Sequence, residues 1–189
     1  MVVKSANTLI TERIADFIDD PLGYVMFAFP WEEDSTIQMV ELEPKYADRY
    51  GLKYGPDKWA CEFLDQLGEE IKDRAFNGKD AVDAIRFSTA SGHGIGKSTM
   101  VAWLIMFILD TRPLSMGVVT ANTGDQLRTK TWSALAQWHH LAITSHLWEY
   151  SNSRGNMSLS RRGSFKNTWR CDGLTARAEN AEAFQGLHC

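Results

Sequence analysis

The stretch SGHGIGKST, residues 91–99, decides how this chain is read. A loop that wraps phosphates must turn its backbone N–H groups inward, and glycine reaches the required conformations most easily. Gly92, Gly94 and Gly96 supply that freedom, and a following helix would direct its N-terminal dipole at the anion. Lys97 suits the β- and γ-phosphates as a point charge. The Ser98 hydroxyl suits Mg²⁺, with Thr99 as its neighbour. The spacing follows GxxxxGK[ST], except that Ser91 stands where the first glycine belongs. Ser91, Gly92, His93, Gly94, Ile95, Gly96, Lys97, Ser98 and Thr99 are therefore the candidate nucleotide-binding residues.

The flanking sequence agrees with this reading. AIRFSTA (84–90) is predicted as a short strand entering the loop. KSTMVAWLIMFIL (97–109) is apolar on nearly all sides, the mark of a buried helix. SMGVVTAN (115–122) reads as a second buried strand. A helix is expected over 123–142, with Leu127, Thr131, Leu135, Trp138 and Ala142 on one face. Residues 151–164 read as a polar loop, and 165–178 as a hairpin turning at Asp172-Gly173. Upstream, 8–18 carries helical spacing closed by Pro21, and 32–54 shows no clear period. Residues 56–76 form a helix pattern striped by Trp59, Phe63, Leu67 and Ile71, with Asn77-Gly78 as its stop. Strand, helix, strand, helix implies an α/β domain with a parallel sheet. The expected organisation is an N-terminal helical extension over 1–55 and a phosphate-loop NTPase core over 56–189.

A length of 189 residues with 44% hydrophobic and 23% charged residues fits an ordinary core-forming domain. The net charge of −4 argues against coating nucleic acid by bulk electrostatics, yet the charge is uneven. Residues 1–111 hold 11 basic and 19 acidic side chains, net −8. Residues 112–189 hold 9 and 5, net +4. Three cysteines (Cys61, Cys171, Cys189) without CxxC spacing suggest a reducing compartment. The N-terminus lacks a signal-peptide h-region, and the longest apolar run, 100–109, is far below the roughly 20 residues that span a bilayer. A soluble chain in the cytoplasm is expected.

Taken together, Pro56–Trp59, FSTASGHGIGKS (87–98), VVTANTGDQLRTKTW (118–132) and AFQGLH (183–188) resemble the ATPase domain of tailed-phage terminase large subunits. The likeness runs from about Phe29 to the last residue and is densest over 87–138. It implies an ATP- and Mg²⁺-dependent motor that packages double-stranded DNA into proheads in the host cytoplasm. Its implied partners are a portal protein, a small terminase subunit and further copies of itself. By the same resemblance, Ser91 is a family variant of the phosphate loop, Gln126 couples nucleotide state to DNA, and Trp59 lies near the adenine. Ala60 stands where the family usually has Gln, and no Arg lies between Ser91 and Lys97. The family places an acidic Walker B strand after Gln-Gly-x-His. Here Gln185-Gly186-Leu187-His188 is followed only by Cys189. The expected sheet therefore lacks that strand, and the chain is expected to be inactive alone.

Other readings stand beside this one. A non-catalytic nucleotide-binding fragment needs no catalytic carboxylate. A helicase would share the phosphate loop, and a nucleotide kinase would need an Arg-rich lid that 154–162 does not resemble. His139, His140 and His146 lack metal-site spacing and read as packing or solvated residues. Arg161, Arg162, Lys166 and Arg170 read as a solvated loop or as phosphate contacts, and Glu32, Glu33 and Asp34 as a charged loop.

Overall fold

The computed structural model describes residues 6–90, 92, 94–153 and 155–175. The chain forms two compact units. One comprises Met1–Ile95 with Asp110–Arg112, the other Gly96–Leu109 with Pro113–Cys189.

The first unit is largely helical. Helix α1 spans Ala6–Ala15 and α2 Pro21–Ala28. Pro21 thus opens a helix as well as following one. Its missing N–H costs nothing in a first turn, and the Asp20 carboxylate accepts the Gly23 N–H at 2.9 Å as the cap. The apolar piece after Pro21 is this helix, buried on nearly all sides. Residues 32–54, which show no period, contain a short strand β1 (Val40–Glu41), helix α3 (Pro44–Tyr50) and the start of β2 (Tyr54–Gly55), antiparallel to β1. Glu32 has a definite task there: its Oε1 accepts the N–H of Lys53 at 2.6 Å and of Tyr54 at 3.1 Å. Helix α4 runs Lys58–Asp73. A stripe every four residues drifts around a helix of 3.6 residues per turn. The face actually buried is Ala60, Cys61, Leu64, Gly68 and Ile71, while Trp59, Phe63 and Leu67 are only half-buried. A Cβ at Gly68 would lie 3.1 Å from Pro21 and 3.2 Å from the Asp19 carbonyl, so glycine permits the close approach of α4 to the start of α2.

The expected strand at 84–90 is not formed. Residues 84–90 lie in no ladder, and all except half-buried Ile85 are exposed. A strand exists only by exchanging backbone hydrogen bonds with a neighbour, and β propensity alone does not supply one. Phe87 instead meets Phe63 edge-on, with centroids 5.2 Å apart.

The second unit holds helix α5 as far as Leu109; the helix itself spans Lys97–Thr111. Strand β3 (Met116–Ala121) follows. Then come α6 (Gly124–Gln126), a π-turn (Leu127–Thr131) and α7 (Trp132–Leu141). A 3₁₀ turn at Ser145–Leu147 leads to β4 (Trp148–Ser153), β5 (Asn156–Arg161) and β6 (Arg170–Thr175). The sheet order is β3-β6-β5-β4. Only β3 and β6 are parallel; β6–β5 and β5–β4 are antiparallel, so the sheet is mixed, not parallel. Among the described residues strand β3 has one partner strand, and none of its own residues is fully buried, in contrast to the buried strand expected.

Two further expectations change at this sheet. The polar stretch 151–164 supplies the end of β4 and all of β5, joined through Gly155 at φ +79°. Serines gave the stretch a loop-like composition, yet Ser158, Leu159 and Ser160 are all buried. Asp172-Gly173 is no turn but the middle of β6. A Cβ at Gly173 would sit 3.0 Å from Met157 Cβ, 3.1 Å from Trp132 Cζ3 and 3.2 Å from Leu127 Cδ2. Glycine is therefore needed for proximity, not for a bend.

The same contact explains the π-turn. Leu127 and Trp132 are both 0% exposed and both face Gly173, yet they lie five residues apart. An α-helix cannot put i and i+5 on one face, whereas a wide turn with an i→i+5 bond can. The Trp132 N–H donates to the Leu127 carbonyl accordingly. Thr131, expected on the buried stripe, is only half-buried, and Trp132 takes its place. Trp132 is held further by Nε1–H donation to Ser151 O at 2.8 Å and by the Tyr150 hydroxyl on its own carbonyl at 2.8 Å.

Candidate phosphate-binding loop

The loop opens in front of α5. Gly94 and Gly96 hold φ of +83° and +84°, the left-handed region that side-chain-bearing residues rarely adopt. Among the described residues, chain neighbours aside, no atom lies within 4 Å of where a Cβ on Gly92 or Gly94 would point. The Gly96 carbonyl accepts the Met100 N–H at 2.9 Å, which begins the helix. Lys97 is its first residue and is exposed, while Ser98 and Thr99 are half-buried and Ile95 likewise. First-turn N–H groups have no acceptor within their own helix, and a helix of 15 residues carries its full terminal dipole. Positive-φ glycines followed directly by such a terminus can hold an anion. Ser91 and His93 lie outside the described residues, as do Gln185–His188.

The remaining expected site residues, and two arginines outside the loop, are placed as follows. Gln126 is exposed and its N–H donates to Thr123 Oγ1 at 3.2 Å, the N-cap bond of α6. Trp59 sits in the first turn of α4, in the first unit. Its indole Nε1 is buried and has no hydrogen-bond partner among the described residues. Arg128 is bound to Asp125 at 2.6 Å, a pair at i,i+3 that the helical spacing could have revealed. Arg86 is exposed.

As for Mg²⁺, Ser98 offers one hydroxyl. Among the described residues no group of three His, Cys, Asp or Glu side chains could hold a metal ion. One hydroxyl does not by itself complete a metal shell. Burial pushes the Cys61 and Cys171 thiols up to about 12, which leaves them protonated and unreactive near neutral pH.

The histidines have ordinary surroundings. His139 stacks on Tyr150 with centroids 6.1 Å apart, and its Nε2 donates to Ser145 O at 3.1 Å. Burial holds its pKa below the usual value, so the folded chain binds this proton less readily than the unfolded chain. Its contribution is therefore complete above the ordinary histidine range and is lost as pH falls through the lowered folded value. His139→Phe is expected to flatten this part of the stability profile between about pH 7 and pH 5. Urea melts of both chains at the two pH values would measure the difference.

Three basic residues among the described part of the C-terminal half are engaged. The Arg161 guanidinium lies over the rings of Trp148 (5.6 Å) and Trp169 (5.1 Å). Lys166 pairs with Glu149 at 2.7 Å, and Arg170 with Asp172 on its own strand. No helix among the described residues is long and apolar enough to cross a membrane. Comparison of the chain with protein families, with curated protein sequences and with solved structures returns no match.

Proposed function

We propose that residues 91–99 bind the phosphates of ATP, and that the chain is the ATP-binding part of a DNA-packaging motor of the terminase large-subunit type. The observation that carries the nucleotide half is the pair of positive-φ glycines, Gly94 and Gly96, immediately before a helix that begins Lys97-Ser98. In this reading the loop N–H groups and the first turn of α5 hold the phosphate oxygens, and Lys97 neutralises their charge. Ser98 would contribute one oxygen to Mg²⁺, which would supply further charge neutralisation at the phosphates. Ser91, His93 and Thr99 complete the loop, Trp59 lies near the base, and Gln126 reports nucleotide state. The motor half rests on the order of sequence blocks described above. It brings with it double-stranded DNA, a portal protein, a small subunit, self-assembly and the host cytoplasm.

A second reading, a nucleotide binder without turnover, is favoured by the lack, among the described residues, of any group of three His, Cys, Asp or Glu side chains that could hold a metal ion. Calorimetry with Mg-ATP, with phosphate release followed in parallel, tests both. Lys97→Ala is expected to weaken binding about 10- to 100-fold, the loss of a charge-assisted bond of about 1.5–3 kcal/mol. Binding without turnover is expected on both readings of this chain; Lys97-dependent turnover excludes the second reading and overturns the expectation that the chain is inactive alone. A folded chain that ignores Mg-ATP, or a Lys97→Ala variant that binds as well as the parent, overturns both.

A further inference from the structure

Residues 150–171 contain five Arg or Lys and no Asp or Glu. Within this run the β5–β6 connection, residues 162–169, is exposed as far as Thr168 and ends at half-buried Trp169. It is a firm turn: Gly163 takes φ +90°, Lys166 N–H donates to Gly163 O at 3.3 Å, and Trp169 N–H donates to Phe165 O at 3.0 Å. It is anchored at both ends. The Arg162 N–H donates to Leu147 O at 3.0 Å, and the Trp169 indole donates to Leu109 O at 2.8 Å. Arg162 and Lys166 are exposed on it, beside exposed Ser164, Asn167 and Thr168. Hydrogen bonding and charge from Lys166, with Arg162 behind it, hold Glu149 below its ordinary pKa, so that carboxylate is ionised and holds Lys166 in check.

We propose that this turn is a contact surface for the sugar–phosphate backbone of duplex DNA, with Arg162 and Lys166 as the phosphate-binding cations. Cations interleaved with Ser, Asn and Thr on a rigid exposed turn are the side chains that position proteins on phosphates. A single-strand binder would need a groove with successive stacking aromatics, whereas only Phe165 stands exposed here, at 50%. Contact is then independent of base sequence. The proposal extends the motor reading to a surface that reading does not name, and it rests on charge and exposure, not on the phosphate loop.

The test is fluorescence anisotropy of a short labelled duplex with the full chain, in the absence of nucleotide. Binding is expected to weaken about tenfold over about 50–200 mM salt, the dependence produced by release of about two counterions. The double variant Arg162→Glu, Lys166→Glu should lose at least about tenfold in affinity with an unchanged melting temperature. Glu149→Gln, which frees Lys166, should tighten binding about two- to fivefold, an effect that a purely structural role would not produce. Lys97→Ala should bind the duplex as the parent does, so failure of the nucleotide reading leaves this result intact. No duplex binding by the folded chain, binding indifferent to salt or to the charge reversal, or no tightening in Glu149→Gln would overturn the proposal. So would displacement of the duplex by poly-glutamate at equal charge, which would reassign the turn to an acidic polypeptide.

Discussion

Arg112→Ala is expected to destabilise the first unit by about 3–5 kcal/mol, the combined cost of leaving more than one buried acceptor without its charged donor. Arg112 is 2% exposed. Its Nη2 donates to the carbonyls of Ile18 (2.8 Å) and Phe76 (3.0 Å), and Nη1 donates to Thr111 Oγ1 at 2.7 Å. The guanidinium also lies 4.4 Å from the centre of the Phe76 ring. One side chain thus ties the α1–α2 connection, the segment after α4 and the end of α5 together. Burial pushes its pKa down to about 10, which still leaves it charged at neutral pH. Opposing effects meet here. Alanine relieves the cost of burying a cation, but it strips two carbonyls and a hydroxyl of their donor, at about 1–3 kcal/mol for each group left unsatisfied. It also removes the stem that packs 3.1 Å from where a Cβ on Gly78 would lie. Arg112→Met restores the packing without the donors, so it should recover only part of the loss. Urea titration of the three chains decides the matter. A loss below about 1 kcal/mol in Arg112→Ala would mean that water replaces the guanidinium.

The second large effect is expected at Gly173. Gly173→Val should cost the second unit about 3 kcal/mol, the upper end for overpacking a closed core. Gly173→Ala should cost less, because it adds only the first of the offending atoms. Three neighbours would have to move at once. Met157 Cβ is fixed to the backbone of β5, paired with β6 at that very position, and so cannot swing away. Trp132 is pinned by its indole bond to Ser151 O. Near-UV circular dichroism should report loss of the fixed Trp132 environment in step with the loss of stability. A valine variant as stable as the parent would show that the sheet separates from the π-turn more readily than these distances allow.

The sequence predicted well where its signal was local. Helix α5 and the glycine loop before it were legible because glycine content, apolar density and a Lys-Ser start are properties of neighbouring residues. Pro21 shows the same locality, though it served as a beginning as well as a stop. Pairing was not legible. Residues 84–90 have strand-like composition but no ladder, and residues 151–161 have loop-like composition but two paired strands. Both depend on a partner elsewhere in the chain, which composition does not encode. Asp172-Gly173 misled for a related reason. The dipeptide is a turn signal only if the glycine bends, and here it accommodates Trp132. For the site, conformation at Gly94 and Gly96 adds to what the letters imply, while the roles assigned to Trp59 and Gln126 still rest on the family likeness.

The glycine at 173 answers to the two side chains set against it, not to the width of the turn that presents them. A lineage that shortens this turn by one residue leaves Leu127 and Trp132 four apart, a spacing at which a regular α-helix keeps both on one face. A one-residue gap at 127–132 should therefore be found with glycine kept at 173. A larger residue at 173 should be found only where Leu127 or Trp132 has become smaller.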